Sequence, residues 1–431
     1  MRPLPSVLIS PRTLIARRYL HLNTIVFALL FAIPLESRGD DWFQFRGPDG
    51  QGHSSALGLP THWSATDQVR WKTPIPGRGW SSPVCIGNQI FLTTAVPNDS
   101  THSLHALSLD ATTGKILWDE TLFDRLVADR ARIHSKNSHA SPTPIAEGGR
   151  LYVHFGTHGT ACLTFDGKVL WKTRQLEYQP NHGSGGSPVL VDGLVVVSCD
   201  GSDIQFVAAL DAESGKLTWK KDRPPCDEIK KFAFGTPLVI EVGGRRQIVS
   251  PGANWVVAYE PQSGDEIWRV RYEGYSVVPR PVFGHGLVYL ATSFDSSQLL
   301  AIRPDGHGDV TDTHVAWRQS RAMPSTPSPL LIGDNLFLIS DAGIASCLDA
   351  KTGKVRWSHR VGGNFSASPI VAEDRVYVLS EEGETTIFRA TPERYVEIAR
   401  NKLDERALAS PAVIDRGLLI RTAEALYRIE N

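Results

Sequence analysis

Cysteine and methionine are scarce in this chain of 431 residues, with five and two copies. Cys85, Cys162, Cys199, Cys226 and Cys347 are scattered, with no C-x-x-C, no C-x-x-C-H and no adjacent pair. That excludes a covalently attached c-type haem and a cysteine-rich zinc site. Charge of one sign is lacking as well. Lys plus Arg number 45 against 46 Asp plus Glu, and no basic stretch carries interleaved aromatics. A nucleic-acid partner therefore has no support. No Gly-x-Ser-x-Gly elbow and no phosphate loop occur, and Ser184 in Gly183-Ser184-Gly185-Gly186 opens a strand instead. Helical periodicity is nearly absent. Leu122 to Ala131 is the one stretch that reads as a helix.

No long apolar run occurs either. The run from Ile25 to Leu35 is too short to span a membrane comfortably. Arg12, Arg17 and Arg18 precede it, and Ser37 and Gly39 follow at the spacing of a cleavage site. Residues 1–39 are read as a secretory signal peptide, cut near Gly39–Asp40. The expected location is periplasmic or secreted, with no stable membrane anchor. Losing five Arg and one Glu with that leader leaves the remainder mildly acidic.

What is present is a repeat. Ala209-Leu210-Asp211-Ala212-Glu213-Ser214-Gly215-Lys216-Leu217-Thr218-Trp219 recurs in pattern at Ser108 to Trp118, Ala258 to Trp268 and Cys347 to Trp357. Shortened and lengthened copies end at Trp171 and Trp317. The Asp side chain nucleates a turn, the Gly closes it with a positive φ, and the flat Trp suits packing between neighbouring sheets. These Trp are read as structural.

A second marker is a Pro at the head of a strand, where no ladder N–H is needed. It stands at Ser82-Pro83, Ser141-Pro142, Ser187-Pro188, Thr236-Pro237, Arg280-Pro281, Ser328-Pro329, Ser368-Pro369 and Ser410-Pro411. Each head opens an antiparallel meander of four strands. Seven units are complete, and the eighth has room for three strands before Asn431. A strand around Trp71 supplies the missing one. The predicted fold is all-β: an eight-bladed β-propeller of four-stranded antiparallel blades over 62–431, closed by pairing its N- and C-terminal strands. Residues 40–61 form an extended N-terminal segment whose aromatics must dock on the body. The seventh unit carries Tyr395-Val396-Glu397 in place of its Trp, so its docking is expected to be weaker.

The Ala-x-Asp-x-x-Ser/Thr-Gly-x-x-x-Trp pattern resembles the tryptophan-docking motif of pyrroloquinoline-quinone (PQQ) repeat propellers. That superfamily includes quinoprotein alcohol dehydrogenases and the BamB type of outer-membrane assembly factor. Trp42-Phe43-Gln44-Phe45-Arg46-Gly47-Pro48, with Pro76-Gly77-Arg78-Gly79-Trp80-Ser81-Ser82-Pro83, looks like secreted PQQ-like proteins of planctomycete-type bacteria. The resemblance covers residues 41–431 and is specific for fold rather than for activity. It implies PQQ and Ca²⁺ as the cofactors of an enzyme reading. The adjacent Cys pair and haem motif of such dehydrogenases are missing. The reading preferred from the sequence is a monomeric, non-catalytic scaffold that binds a protein or a small polar or glycan ligand. The alternative is a PQQ- and calcium-dependent dehydrogenase.

Loops at the axial face supply the candidate ligand residues: Arg78, Trp80, Lys136, Asn137, His139, His158, Asn181, His182, Asn254, Arg280 and Asn364. Asp200 and Asp341 belong to the same rim. No confident metal site emerges. His134 with His139, and His154 with His158, are near enough in sequence to co-ligate, but no third ligand follows at zinc spacing. His102 and His105, three apart on a strand, point to opposite faces. Asp305, Asp309 and Asp312 have the intervals of a calcium loop without its bidentate acid, so a plain turn is expected.

Overall fold

The computed structural model describes residues 41–127, 133–227 and 229–431. The expected signal peptide at 1–39 lies outside the described residues. Eight blades of four up-and-down antiparallel strands form a β-propeller ring, and two of the sheets gain a fifth, parallel two-residue strand, His53–Ser54 and Gly308–Asp309. Blades 1 to 7 occupy 84–127, 145–173, 189–222, 238–271, 282–319, 330–360 and 370–402. Blade 8 takes three strands from 412–429, and Val69–Pro74 pairs antiparallel with its last, Ala425–Ile429. The ring is thus closed by its two ends, as the strand count requires.

Each blade is held to the next by the Trp. The Trp71 indole N–H donates to Ala111 O, Trp171 to Ala212 O and Trp317 to Ala350 O, at 2.9, 3.0 and 3.1 Å. Each acceptor follows the motif Asp of the next blade. That Asp builds its turn as expected: Asp211 accepts from Ser214 N at 2.8 Å and Ser214 Oγ at 2.6 Å. Trp268 is the exception. Blade 5 carries the lengthened copy, with Arg303-Pro304 where the other blades have Asp and the acceptor residue, and Trp268 donates to Gln247 Oε1 at 2.8 Å while Gln247 Nε2 reaches Pro304 O at 3.2 Å. One glutamine bridges the gap.

Blade 7 has Ala399 where blade 6 has Trp357, opposite Ile387 and Cys347 respectively. Trp63, from the segment before blade 1, belongs to the same buried cluster as Ala399 and donates its backbone N–H to Asn401 Oδ1 at 2.8 Å. An indole from the N-terminal segment thus accompanies the seventh blade's missing one.

Two expectations are corrected. The stretch read as a helix from Leu122 is strand as far as it is described, because Ile116–Val127 pairs along Thr101–Asp110. Residues 128–131 of it lie outside the described residues. The head of blade 2 is Thr143-Pro144 rather than Ser141-Pro142, since its inner strand is Ile145–Glu147. Ser-Pro-Thr-Pro offers two candidate heads, and only the second abuts the strand.

Candidate functional site

The residues before those strand-head prolines form a circuit around the axis. Ser82 N–H donates to Thr143 Oγ1, Thr143 N–H to Ser187 Oγ, and Ser187 N–H to Thr236 Oγ1, at 2.9, 2.9 and 3.0 Å. Arg280 N–H donates to Ser328 Oγ, Ser328 N–H to Ser368 Oγ, and Ser368 N–H to Ser410 Oγ, at 2.9, 3.0 and 2.9 Å. The Ser-Pro or Thr-Pro pair is visible in the sequence, but the hydrogen bond its hydroxyl accepts is not. A short hydroxyl side chain here accepts the N–H of the neighbouring blade, which would otherwise be buried unpaired.

These hydroxyls line an axial cavity of about 520 Å³. Its size suits a small ligand. Residues 42–53 run under it as a floor. Phe45 faces the cavity. Arg280, only 2% exposed, donates to Phe45 O at 2.7 Å, Pro237 O at 3.0 Å and Gln44 Oε1 at 3.1 Å. Arg46 donates to Pro329 O at 2.7 Å. Burial pushes both guanidinium groups down, Arg46 to about 9 and Arg280 to about 10, and the neighbouring Asp49 offsets part of that. Arg280 therefore does not face a ligand at the rim. It ties the N-terminal segment to the ring.

The cavity wall has two chemistries. Along blades 2 to 5 runs a chain of edge-on rings: His134 on His182 at 5.5 Å, His182 on Phe232 at 5.4 Å, Phe232 on Tyr275 at 5.3 Å, and Tyr275 on Phe294 at 5.8 Å. Phe294 is 59% exposed, which is unusual for a large apolar ring. Beyond Phe294 the wall presents Ser325, Thr326, Ser366 and Asp341, with Ser325 O accepting from Ser293 Oγ at 2.7 Å. Asp341 accepts from Ser325 N and Thr326 Oγ1, both at 2.6 Å. Lys136 pairs with Glu381 at 2.7 Å. Among the described residues, each charged group of the lining thus already has a partner.

Of the sequence candidates, Trp80, Lys136, Asn137 and His182 line this cavity. Asn137 donates to His182 O at 2.9 Å, which locks the two loops together. His139 and His158 line a smaller neighbouring cavity. Arg78 makes a backbone bridge with Ala95 and is exposed. Asn181 lines neither cavity. Asn254 braces its own loop through Asp227 N and Gly274 O, and Asn364 pairs with Glu382. Asp200 is buried against Arg223, with its oxygens 2.5 and 2.9 Å from the guanidinium, so it is structural. Asp305, Asp309 and Asp312 do not converge. Asp309 caps Thr311 and pairs with Arg269, and Asp305 faces His314. Phe45, Phe232 and Phe294 were missed as lining residues. Isolated aromatics in loops carry no signal until the ring brings them together.

The family model described as outer membrane protein assembly factor BamB matches residues 61–222, 103–269 and 204–416. The chain belongs to this PQQ-repeat propeller family. BamB of Legionella pneumophila (strain Paris) is 24% identical over 46% of this chain and 49% of its own length. The dehydrogenase subunit of the quinone alcohol dehydrogenase of Gluconobacter oxydans is 32% identical over 47% of this chain and 26% of its own length. The matched region is thus about half or less of the length of these relatives. Among solved structures, BamB of Moraxella catarrhalis superposes with TM-score 0.58 at 14% identity, covering 83% of this chain and 96% of that one. A europium-containing methanol dehydrogenase gives TM-score 0.65 at 11% identity, covering 90% of both chains. At such identities the likeness is one of fold.

Membership raises the question of PQQ with Ca²⁺. Calcium takes six to eight oxygens, several from carboxylates. Among the described residues the axial lining has one carboxylate, Asp341, and both its oxygens are in use. A tricarboxylic quinone also needs cations. Lys136 is taken by Glu381, and the guanidinium groups of Arg46 and Arg280 lie beneath the floor, bonded to carbonyls. The donor set does not fit the group, so no step is derived through it.

Proposed function

We propose that this is a non-catalytic binding propeller whose axial cavity takes a neutral, polyhydroxylated ligand, such as the sugar end of a glycan. The observation that carries this is the pairing of an aromatic wall, His182-Phe232-Tyr275-Phe294, with hydroxyl groups and, among the described residues, no uncommitted charge. A sugar ring has an apolar face to lay on aromatics and hydroxyls to exchange with Ser and Thr. Among the described residues of the lining, an anionic ligand would find no free cation and a cationic one no free carboxylate. A protein carrying such a glycan is the partner expected, in a periplasmic or secreted setting reached through the leader at 1–39. Relatives named for outer-membrane assembly and relatives named for alcohol oxidation share the fold. The dehydrogenase reading is weaker here because the lining lacks its ligand set.

The test is a glycan array probed with the purified protein, followed by calorimetry on the best saccharide. Tyr275→Ala should weaken binding at least tenfold, as loss of a stacking ring typically does. An array with no neutral-sugar signal, or affinity unchanged by Tyr275→Ala, would overturn the assignment.

A further inference from the structure

The small cavity beside the axial one has a histidine cluster at its base. His102, on Thr101–Asp110 of blade 1, is 4% exposed, and neither of its ring nitrogens has a hydrogen-bond partner. Two unpaired nitrogens in a buried imidazole are costly, and natural cores rarely leave them so. His139, from the loop entering blade 2, stacks on His102 with ring centroids 3.9 Å apart and 22° between planes. His158, at the end of the short 3₁₀ turn Gly156–His158, meets the pair from the side at 5.7 Å from each. One nitrogen from each of the three lies within 4.8 Å of the others.

The geometry points to a divalent transition-metal site, zinc or copper(II), held by His102, His139 and His158. The donor chemistry sets the class. Three neutral imidazoles with no carboxylate or thiolate in the group suit zinc and copper(II), and suit magnesium or calcium poorly. Tetrahedral binding at 2.0–2.1 Å per nitrogen places ligand atoms roughly 3.3 Å apart, so the cluster has up to about 1.5 Å to close, and the stacked His139 ring must tilt to aim its in-plane lone pair at the ion. Two of the three ligands can supply that movement. His139 sits in a loop and His158 on one 3₁₀ turn, while His102 is fixed in a strand.

The fourth position is open. A cavity of about 220 Å³, lined by Thr157, Tyr178, Gln179 and Ser184 along with His139 and His158, adjoins the cluster. Three protein ligands and a free position for water or a small ligand is the arrangement of an exchangeable site, not of a closed structural one. The charge of Arg174 reaches His158. Binding is therefore expected to be weaker than at four-ligand structural zinc sites.

The test is metal uptake by the full protein, stripped with chelator and reloaded with Zn²⁺, Co²⁺ or Cu²⁺. Elemental analysis after desalting gives stoichiometry. Co²⁺ absorbance and Cu²⁺ nitrogen hyperfine structure report the ligands. One ion per chain is expected, with at least a hundredfold loss of affinity in His158→Ala and in His102→Phe, the latter keeping the core filled. His105→Ala, three residues along on the opposite face, should bind as the parent does. His158 lies at the cavity edge, so His158→Ala decides the matter if His102→Phe fails to fold. No uptake, or uptake unchanged in His158→Ala, overturns the site.

Discussion

Trp171 lies directly on Gly215 of the next blade, so that a β-carbon at Gly215 would stand 2.4 Å from the indole. The motif glycine is therefore required twice, by its φ of 69° and by the ring above it. Gly215→Ala should cost about 2–4 kcal/mol, combining left-handed strain with overpacking. Gly193 has a φ of 78° but nothing within 4 Å of its would-be β-carbon. Gly193→Ala should cost about 1–2 kcal/mol from strain alone. Denaturant unfolding of the two variants checks the difference.

The axial hydroxyl circuit makes unequal demands on its members. Ser368 accepts from Ser328 N and donates to Ser328 Oγ, both at 3.0 Å. Ser368→Ala leaves a buried N–H unpaired and should cost about 1–3 kcal/mol. The Ser82 hydroxyl has no partner. Ser82→Ala should change stability by less than about 0.5 kcal/mol. Equal losses in thermal melts would show that the circuit does not hold the blades.

Asp200 and Arg223 form a buried ion pair, with side chains 0% and 2% exposed. Arg223 also donates to Ser250 O and Pro251 O at 3.0 and 3.2 Å. Asp200→Ala strands a buried guanidinium and should cost about 3–5 kcal/mol. The same change at Asp265, whose partner Lys221 is exposed, should cost below about 1 kcal/mol.

The docking of the N-terminal floor should depend on pH. Partial burial lowers the His53 imidazole, but the hydrogen bond and charge of Asp49 outweigh it and raise it above 6.5. As an imidazolium it donates to both Asp49 and Leu331 O. A raised folded value means this contribution is complete below pH 6.5 and fades as pH rises through the folded value. The pair is over a third exposed, so the effect should stay below about 1 kcal/mol. Hydrogen exchange of residues 42–55 between pH 6 and 8.5 should quicken on the alkaline side beyond the intrinsic rate increase. His53→Gln should remove that excess.

The ring was legible because it is built from a local code. Asp211, Gly215 and Trp219 act within one turn and one neighbour, so period alone gives blade number and closure. The sites were less legible because their partners are distant in sequence. His102 reads as unhelpful beside His105, and strand alternation does send them apart. What sequence spacing cannot show is that the inward one meets His139 and His158 of the next blade. Arg280 reads as a rim ligand because it precedes a strand-head proline. Its side chain turns under the axis to Phe45, more than two hundred residues earlier. Trp80 and His182 line the axial cavity because the loops entering inner strands reach the axis.

The most direct measurement titrates one preparation by calorimetry with the best array saccharide and, separately, with PQQ in the presence of calcium. The account predicts stoichiometric saccharide binding that Tyr275→Ala weakens, and no heat from PQQ. Stoichiometric, calcium-dependent PQQ binding without saccharide binding would contradict it.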